Sequence, residues 1–209
     1  MTVTRLEKVK DTRWKVEVDG EYWNILDAEI ILKYHLKPGA EVDEQTLAAA
    51  LRAAEYRRAR ERALYLLDYR EHSRRELELK LARNVSREVA AAVAKRMEQL
   101  GLVDDAAYAR RLARKYILEK NQGPRRAVLE LRKKGIDAAT AAAAVEEVEP
   151  EEDALCDYVR RKYSRALAAD EDGSRRDKTI RALMRLGHGY YDAAAAVDAV
   201  IDELNQEDE

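Results

Sequence analysis

From about Arg5 to Leu26 apolar and polar residues alternate; from Asp43 onward apolar residues recur at every third or fourth position. The first pattern fits half-buried strands, the second the buried stripes of helices. Leu6, Val9, Trp14, Val16 and Val18 carry the alternation, and Asp11-Thr12 and Asp19-Gly20 interrupt it. Asp-Gly between alternating runs is a strong hairpin signal, so a meander of about three strands is expected. So small a sheet has exposed edges and needs a covering helix. The run Asp27 to Tyr34 can supply one before Leu36-Lys37-Pro38-Gly39 breaks it.

Asp43 reads as the N-cap of a long helix towards Tyr69, with room for a kink near Tyr56. Ser73-Arg74-Arg75-Glu76 has the spacing of a capping box ahead of Leu77 and Leu81. Ser86 is placed to cap the next helix, whose stripe is Val89, Val93, Met97 and Leu100, with Gly101 as its stop. Asp104 opens a second round, in which Ala109, Leu112, Ala113, Tyr116 and Ile117 make one face. Gly123-Pro124 starts the following helix, Gly135 ends it and Asp137 caps another. Ala127 and Leu131 stand 50 residues after Leu77 and Leu81. A looser third round opens at Pro150-Glu151-Glu152 with Leu155, Tyr158 and Val159, and crosses a polar gap, AADEDGS. It continues through Ile180, Leu183 and Leu186 to Gly187, 52 residues after Gly135, and closes with a helix capped by Asp192 and lined by Val197, Val200, Ile201 and Leu204. This is a repeat architecture. The fold expected is mainly α, with about three tandem three-helix repeats in an elongated array behind a small N-terminal β-hairpin or meander domain. The boundaries expected are 1–42 for the β-rich part with one short helix, 43–103 and 104–149 for the first two repeats, and 150–209 for the third with an acidic tail.

Composition adds a helix-rich profile, with 38% charged residues, 6% aromatics and no Phe. A single cysteine, Cys156, excludes an internal disulfide and fits a cytosolic protein. The N-terminus lacks the apolar core of a signal peptide, and no apolar run approaches the roughly 20 residues of a membrane span. A soluble, cytoplasmic protein with no membrane contact is expected. Net charge is -2, but it is unevenly spread: the first 51 residues sum to -3, Arg52 to Gly135 to +11, and the remainder to -10. A basic middle suggests a polyanionic partner, an acidic protein surface, or both.

Three blocks in order, SRRELELKLAR (73–83), MEQLGLVDDAAYARRLARKYI (97–117) and GPRRAVLELRKKGID (123–137), resemble the RecX family of bacterial regulators of the RecA recombinase. RALMRLGHGYYDAAAAV (181–197) is similar to that family's weaker last repeat, and VDGEYWNILDAEIILKYHLKPGAEVD (18–43) to the N-terminal extension of some members. The resemblance implies a chain that binds in the groove of a RecA filament on single-stranded DNA. It also implies suppression of ATPase, strand exchange and co-protease functions, in recombination, DNA repair and the SOS response. Two departures stand out: Arg83-Asn84-Val85 lacks the Lys-Gly of Lys134-Gly135, and Leu186-Gly187-His188 lacks its basic residue.

The candidate contact residues are the basic ones. Arg58 and Arg62, Arg110 and Arg114, and Arg111 and Lys115 are each one helical turn apart. Arg74-Arg75 and Arg125-Arg126 occupy equivalent helix starts, with Lys80, Arg83, Arg132, Lys133 and Lys134 further along the same helices. A solvated surface and a RecA- or DNA-contacting face are both open readings. Cations at helix starts oppose the macrodipole, which weakens the first. Asp104-Asp105 reads as capping, since paired carboxylates without further ligands do no metal or acid–base chemistry. His35, His72 and His188 are scattered, Cys156 reads as core filler, and phosphate-loop and nucleophile-elbow motifs are absent, so no metal, cofactor or catalysis is expected. Tyr56, Tyr65, Tyr69, Tyr108 and Tyr116 are expected to fill interhelical seams, with base stacking as the other reading. A filament regulator, a free-standing DNA-binding helical protein and an inert scaffold remain the functional alternatives. A monomer is expected, because no long heptad seam is present.

Overall fold

The computed structural model describes residues 1–170 and 172–207; Glu171 in the polar gap and residues 208 and 209 of the acidic tail lie outside the described residues. Three strands, β1 (Val3–Lys10), β2 (Arg13–Val18) and β3 (Glu21–Asp27), form an antiparallel meander in the order β1-β2-β3. At the second turn Asp19 (φ 53°) and Gly20 (φ 86°) both take the left-handed conformation that a two-residue hairpin demands. After the sheet come α1 (Ala28–Lys33), α2 (Glu44–Tyr69), α3 (Arg74–Leu81) and α4 (Arg87–Gln99). Then follow α5 (Asp105–Arg114), a π-helical turn (Lys115–Glu119), α6 (Pro124–Lys133), α7 (Ala138–Glu146), α8 (Ala154–Leu167), α9 (Ser174–Arg185) and α10 (Tyr190–Glu207). The mainly helical, tandem three-helix fold with a small N-terminal sheet is therefore observed.

The chain divides into two compact units, one of Met1–Glu71 with Glu76–Val103, the other of His72–Arg75 with Asp104–Glu209. In the first unit Val3, Val16, Val18 and Leu26 of the sheet bury themselves against Ile30 and Ile31 of α1 and Leu47, Ala50 and Ala54 of α2. The cover predicted from Asp27 to Tyr34 is thus shared with the long helix. Further along, α2 turns Ala59 and Ala63 into a second core with Leu77, Leu81, Val89, Val93 and Met97. Because α2 buries one face early and another late, it has no single apolar stripe, and it runs unbroken past Tyr56. Leu100 stands at the end of α4 and is exposed, so the stripe of that helix stops at Met97.

In the second unit one core gathers Tyr108, Ala109, Ala113 and Tyr116 with Ala127, Leu131, Ala141 and Val145. Another gathers Tyr158 and Val159 of α8, Ile180 and Leu183 of α9, and Val197 and Val200 of α10. Capping carboxylates set the helix starts: Asp43 accepts from Thr46 N (2.7 Å), Asp104 from Ala107 N (2.8 Å), and Asp137 from Ala139 N and Thr140 N (both 3.0 Å). Other caps differ from expectation. The Ser86 hydroxyl donates to Glu55 Oε2 (3.1 Å) and makes no cap bond to α4. Helix α8 begins at Ala154, after a turn in which Ala154 N donates to Glu151 O, and not at Pro150. Asp192 lies inside the first turn of α10, where its carboxylate folds back towards Gly189.

Candidate functional site

The basic candidates sit on four helices and their ends, and their surroundings divide them. Arg58 and Arg62 are exposed on α2, Lys80 lies in the last turn of α3 and Arg83 just beyond it. Lys80 approaches Glu76 Oε1 (3.8 Å), and the same carboxylate takes the Arg70 guanidinium. In the second unit Arg126 and Lys133 both reach Glu130 Oε1, at 2.8 and 3.0 Å. The Lys133 hydrogen bond and the charge of Arg126 hold the Glu130 carboxyl below the usual carboxylate range. Those two cations are thereby engaged within α6. Among the described residues Arg83, Arg110, Arg114, Lys115, Arg125 and Arg132 are exposed and have no carboxylate partner. Arg110, Arg111 and Arg114 line one side of a cleft of 310 Å³ whose other side is Ala144 of α7 with Glu147 and Val148 just beyond its end.

The helix starts that carry Arg74-Arg75 and Arg125-Arg126 are held in a common manner. The Ser73 hydroxyl donates to Lys134 O, and a Cβ on Gly135 would stand 2.8 Å from Arg75 Cβ. Fifty residues on from Ser73, Gly123 N donates to Leu186 O (2.9 Å), and a Cβ on Gly187 would stand 2.5 Å from Arg126 Cβ. Each arginine pair therefore starts a helix whose first turn lies on the glycine that ends another helix. Gly135 and Gly187 both have positive φ, 84° and 98°, and neither position leaves room for a side chain. His188 Nε2 lies 3.0 Å from Asn121 O beside the second of these contacts. Asp105 has a role that sequence reasoning missed: its carboxylate accepts the backbone N–H of Arg74 (2.7 Å), a donor left unpaired by the helix itself. Asp104 caps one helix and Asp105 another.

The aromatic candidates part company. Tyr108 and Tyr116 are 8% exposed and fill seams as expected, and Tyr56 is half-buried. Tyr65 and Tyr69 are 64% and 83% exposed, against the expectation of seam filling. Residue type alone carried no sign of that exposure. Burial pushes the Cys156 thiol up, against the thiolate form. A separate cleft of 260 Å³, bordered by Ile117, Val145, Val148 and Leu155, contains Gln122 and His188. Gln122 Oε1 is buried there without a hydrogen-bond partner. Among the described residues no group of three or more His, Cys, Asp or Glu side chains is placed to hold a metal ion. Among them, too, no helix is long and apolar enough to cross a membrane.

Known proteins place this arrangement. The profile described as "RecX, first three-helix domain" matches residues 59–97, and "RecX, second three-helix domain" matches residues 104–145. A regulatory protein RecX of Mycolicibacterium vanbaalenii is 35% identical over 175 residues, covering 81% of this chain and 91% of that protein. The Bacillus subtilis regulatory protein RecX is 27% identical over 213 residues, covering all of this chain and 80% of that one. The crystal structure of a regulatory protein RecX superposes with a TM-score of 0.69 at 24% identity, covering 96% of this chain and 98% of that chain, and so shares the fold. With both three-helix domains matched and a relative 35% identical over four-fifths of its length, the chain belongs to the RecX family of regulatory proteins.

Proposed function

We propose that this chain is a mainly negative regulator of the RecA recombinase that occupies the groove of the RecA–single-stranded DNA filament. In this reading it works by occupancy and carries out no reaction of its own. It bridges neighbouring subunits and so suppresses ATP turnover, strand exchange and co-protease activity. It acts as a cytoplasmic monomer without a cofactor. The observation that carries the reading is the set of exposed cations Arg110, Arg114, Lys115, Arg125 and Arg132, which lack carboxylate partners among the described residues in a chain of RecX descent. Cations left unpaired on a folded surface are available to phosphates or to an acidic protein face. Several weak contacts along one polymer add up through effective concentration, so no single site has to be strong.

The test is the single-stranded-DNA-dependent ATPase of RecA titrated with this protein. Inhibition at less than one molecule per RecA subunit is expected. Charge reversal of Arg110, Arg114, Arg125 and Arg132 to Glu should abolish it while circular dichroism stays unchanged. Full ATPase at saturating wild-type protein ends the reading. The second reading is a free-standing DNA-binding protein acting without RecA, which the exposed Arg125 at the α6 start favours. Tight, sequence-selective binding to naked DNA would move the conclusion there.

A further inference from the structure

Helix α2 presents one face to two different fates. Leu47, Leu51 and Ala54 turn this face into the core under the sheet. At the same helical register, further along, stand Arg58, Arg62, Tyr65 and Tyr69, spaced i, i+4, i+7 and i+11 and all exposed. The four cover about 16 Å along the helix at 1.5 Å per residue. In the second repeat the counterpart positions, 50 residues on, are the buried Tyr108 (8% exposed), the half-buried Leu112, and the exposed Lys115 and Glu119. The second repeat thus covers the half of this face that corresponds to Arg58 and Arg62, and the half that carries aromatic rings in the first repeat is open in both.

The chemistry of the open face is specific. The Arg62 guanidinium lies over the Tyr65 ring, 5.0 Å from its centroid. Neither Arg58 nor Arg62 has a carboxylate partner among the described residues. Arg57, on an adjacent face, reaches Asp27, Glu29 and Glu61. Two large aromatic planes left in water forgo the burial that usually accounts for such residues. Tyr65 and Tyr69 are one turn apart, with about 5–6 Å between their Cβ atoms on a helix surface. That separation suits successive bases of an extended strand better than the 3.4 Å spacing of a stacked duplex, whose bases also keep their faces hidden.

We infer that this face of α2 is a stacking platform for single-stranded nucleic acid, with Tyr65 and Tyr69 taking neighbouring bases and Arg58 and Arg62 their phosphates. The platform holds whether or not the chain acts on RecA, and so goes beyond the function proposed above. The experiment is fluorescence anisotropy of the full chain with a labelled 15-mer of thymidylate and with an abasic strand of equal length and charge, at low salt. Wild type should bind the thymidylate strand more tightly. Tyr65→Ala and Tyr69→Ala should each weaken it about fivefold or more, as loss of one stacking partner does. Both should leave the abasic strand unaffected. Tyr65→Leu and Tyr69→Leu, which keep apolar bulk but lose the ring, should behave like the alanine variants. Arg58→Gln with Arg62→Gln should weaken both strands and flatten the salt dependence. Equal affinity for the two strands, no binding of thymidylate, or tyrosine variants that bind it like wild type would each overturn the platform. If the last are also defective in RecA inhibition, the face is a protein contact instead. Wild-type protein that prefers thymidylate yet leaves the RecA ATPase untouched would remove the filament reading and leave this one standing.

Discussion

Replacing Gly123 with alanine tests the contact between the α6 start and the α9 end. Gly123 has an ordinary φ of -70°, so alanine brings no backbone strain there. Its Cβ, however, would lie 2.2 Å from Gly187 C, 2.3 Å from Gly187 O and 2.3 Å from His188 N. These are backbone atoms and cannot swing aside, so the two segments must separate by about 1 Å to restore van der Waals distance. Overpacking of this kind costs about 1–3 kcal/mol. Separation also stretches the Gly123 N to Leu186 O bond (2.9 Å) and the His188 to Asn121 contact (3.0 Å). Each contributes about 0.5–1.5 kcal/mol, so the total loss is about 2–6 kcal/mol. Gly101→Ala is the control: it has φ 71° and open space around it, and should cost only about 1–2 kcal/mol for a left-handed alanine. Amide hydrogen exchange followed by mass spectrometry reads the difference locally. In Gly123→Ala the peptides of α9 should exchange about 30-fold faster or more, the equivalent of about 2 kcal/mol. In Gly101→Ala they should not change. Exchange in α9 identical for Gly123→Ala and wild type would refute the contact.

Other outcomes follow from the same geometry. Asp105→Ala removes the acceptor of the Arg74 N–H and should destabilise the α3 start by about 1 kcal/mol, seen as faster exchange of its first turn and not of α4. The Asp198 carboxyl is held below its ordinary value by paired hydrogen bonds from Arg176 (2.6 and 2.7 Å). Its depressed pKa means the stabilisation is fully present above the unfolded carboxylate value near 4 and is lost as pH falls through the lower folded value. Denaturant midpoints from pH 6 to pH 3 should therefore drop less in Asp198→Asn than in wild type; parallel curves would remove this pair as a contributor. Glu130→Gln releases Arg126 and Lys133 from their shared partner. It should tighten binding to anionic strands in a salt-dependent way, measured by anisotropy against ionic strength. Unchanged affinity would show that the pairing does not restrain those cations.

What could be read from the residues was what depends on neighbours in sequence. Asp19-Gly20 marked its turn because two successive left-handed residues are needed there and few side chains allow it. Asp43, Asp104 and Asp137 marked helix starts because the groups they satisfy lie two or three residues away. What could not be read depends on elements distant in sequence. Asp105 serves an amide on α3, and nothing around Asp105 announces it. Tyr65 and Tyr108 are the same residue type on the leading helices of two repeats, yet one is in water and the other in a core. The basic middle was visible as a charge count, whereas the division between the ion-paired Arg126 and Lys133 and the unpaired Arg125 and Arg132 required their partners to be located. The α8 start was misplaced because Pro150 suits a helix opening and a preceding turn equally well.

The continuity of α2 fixes something else. Ala54 belongs to one core and Ala59 to the next, with a short, uninterrupted stretch of helix between them. Adding a single residue in that stretch would spin the sheet's seat by about 100° against the bundle's, and no loop is available there to absorb the rotation. Drift in this lineage should therefore reject insertions and deletions at positions 55 to 58. The length of this shaft, more than its chemistry, is what keeps both ends in phase.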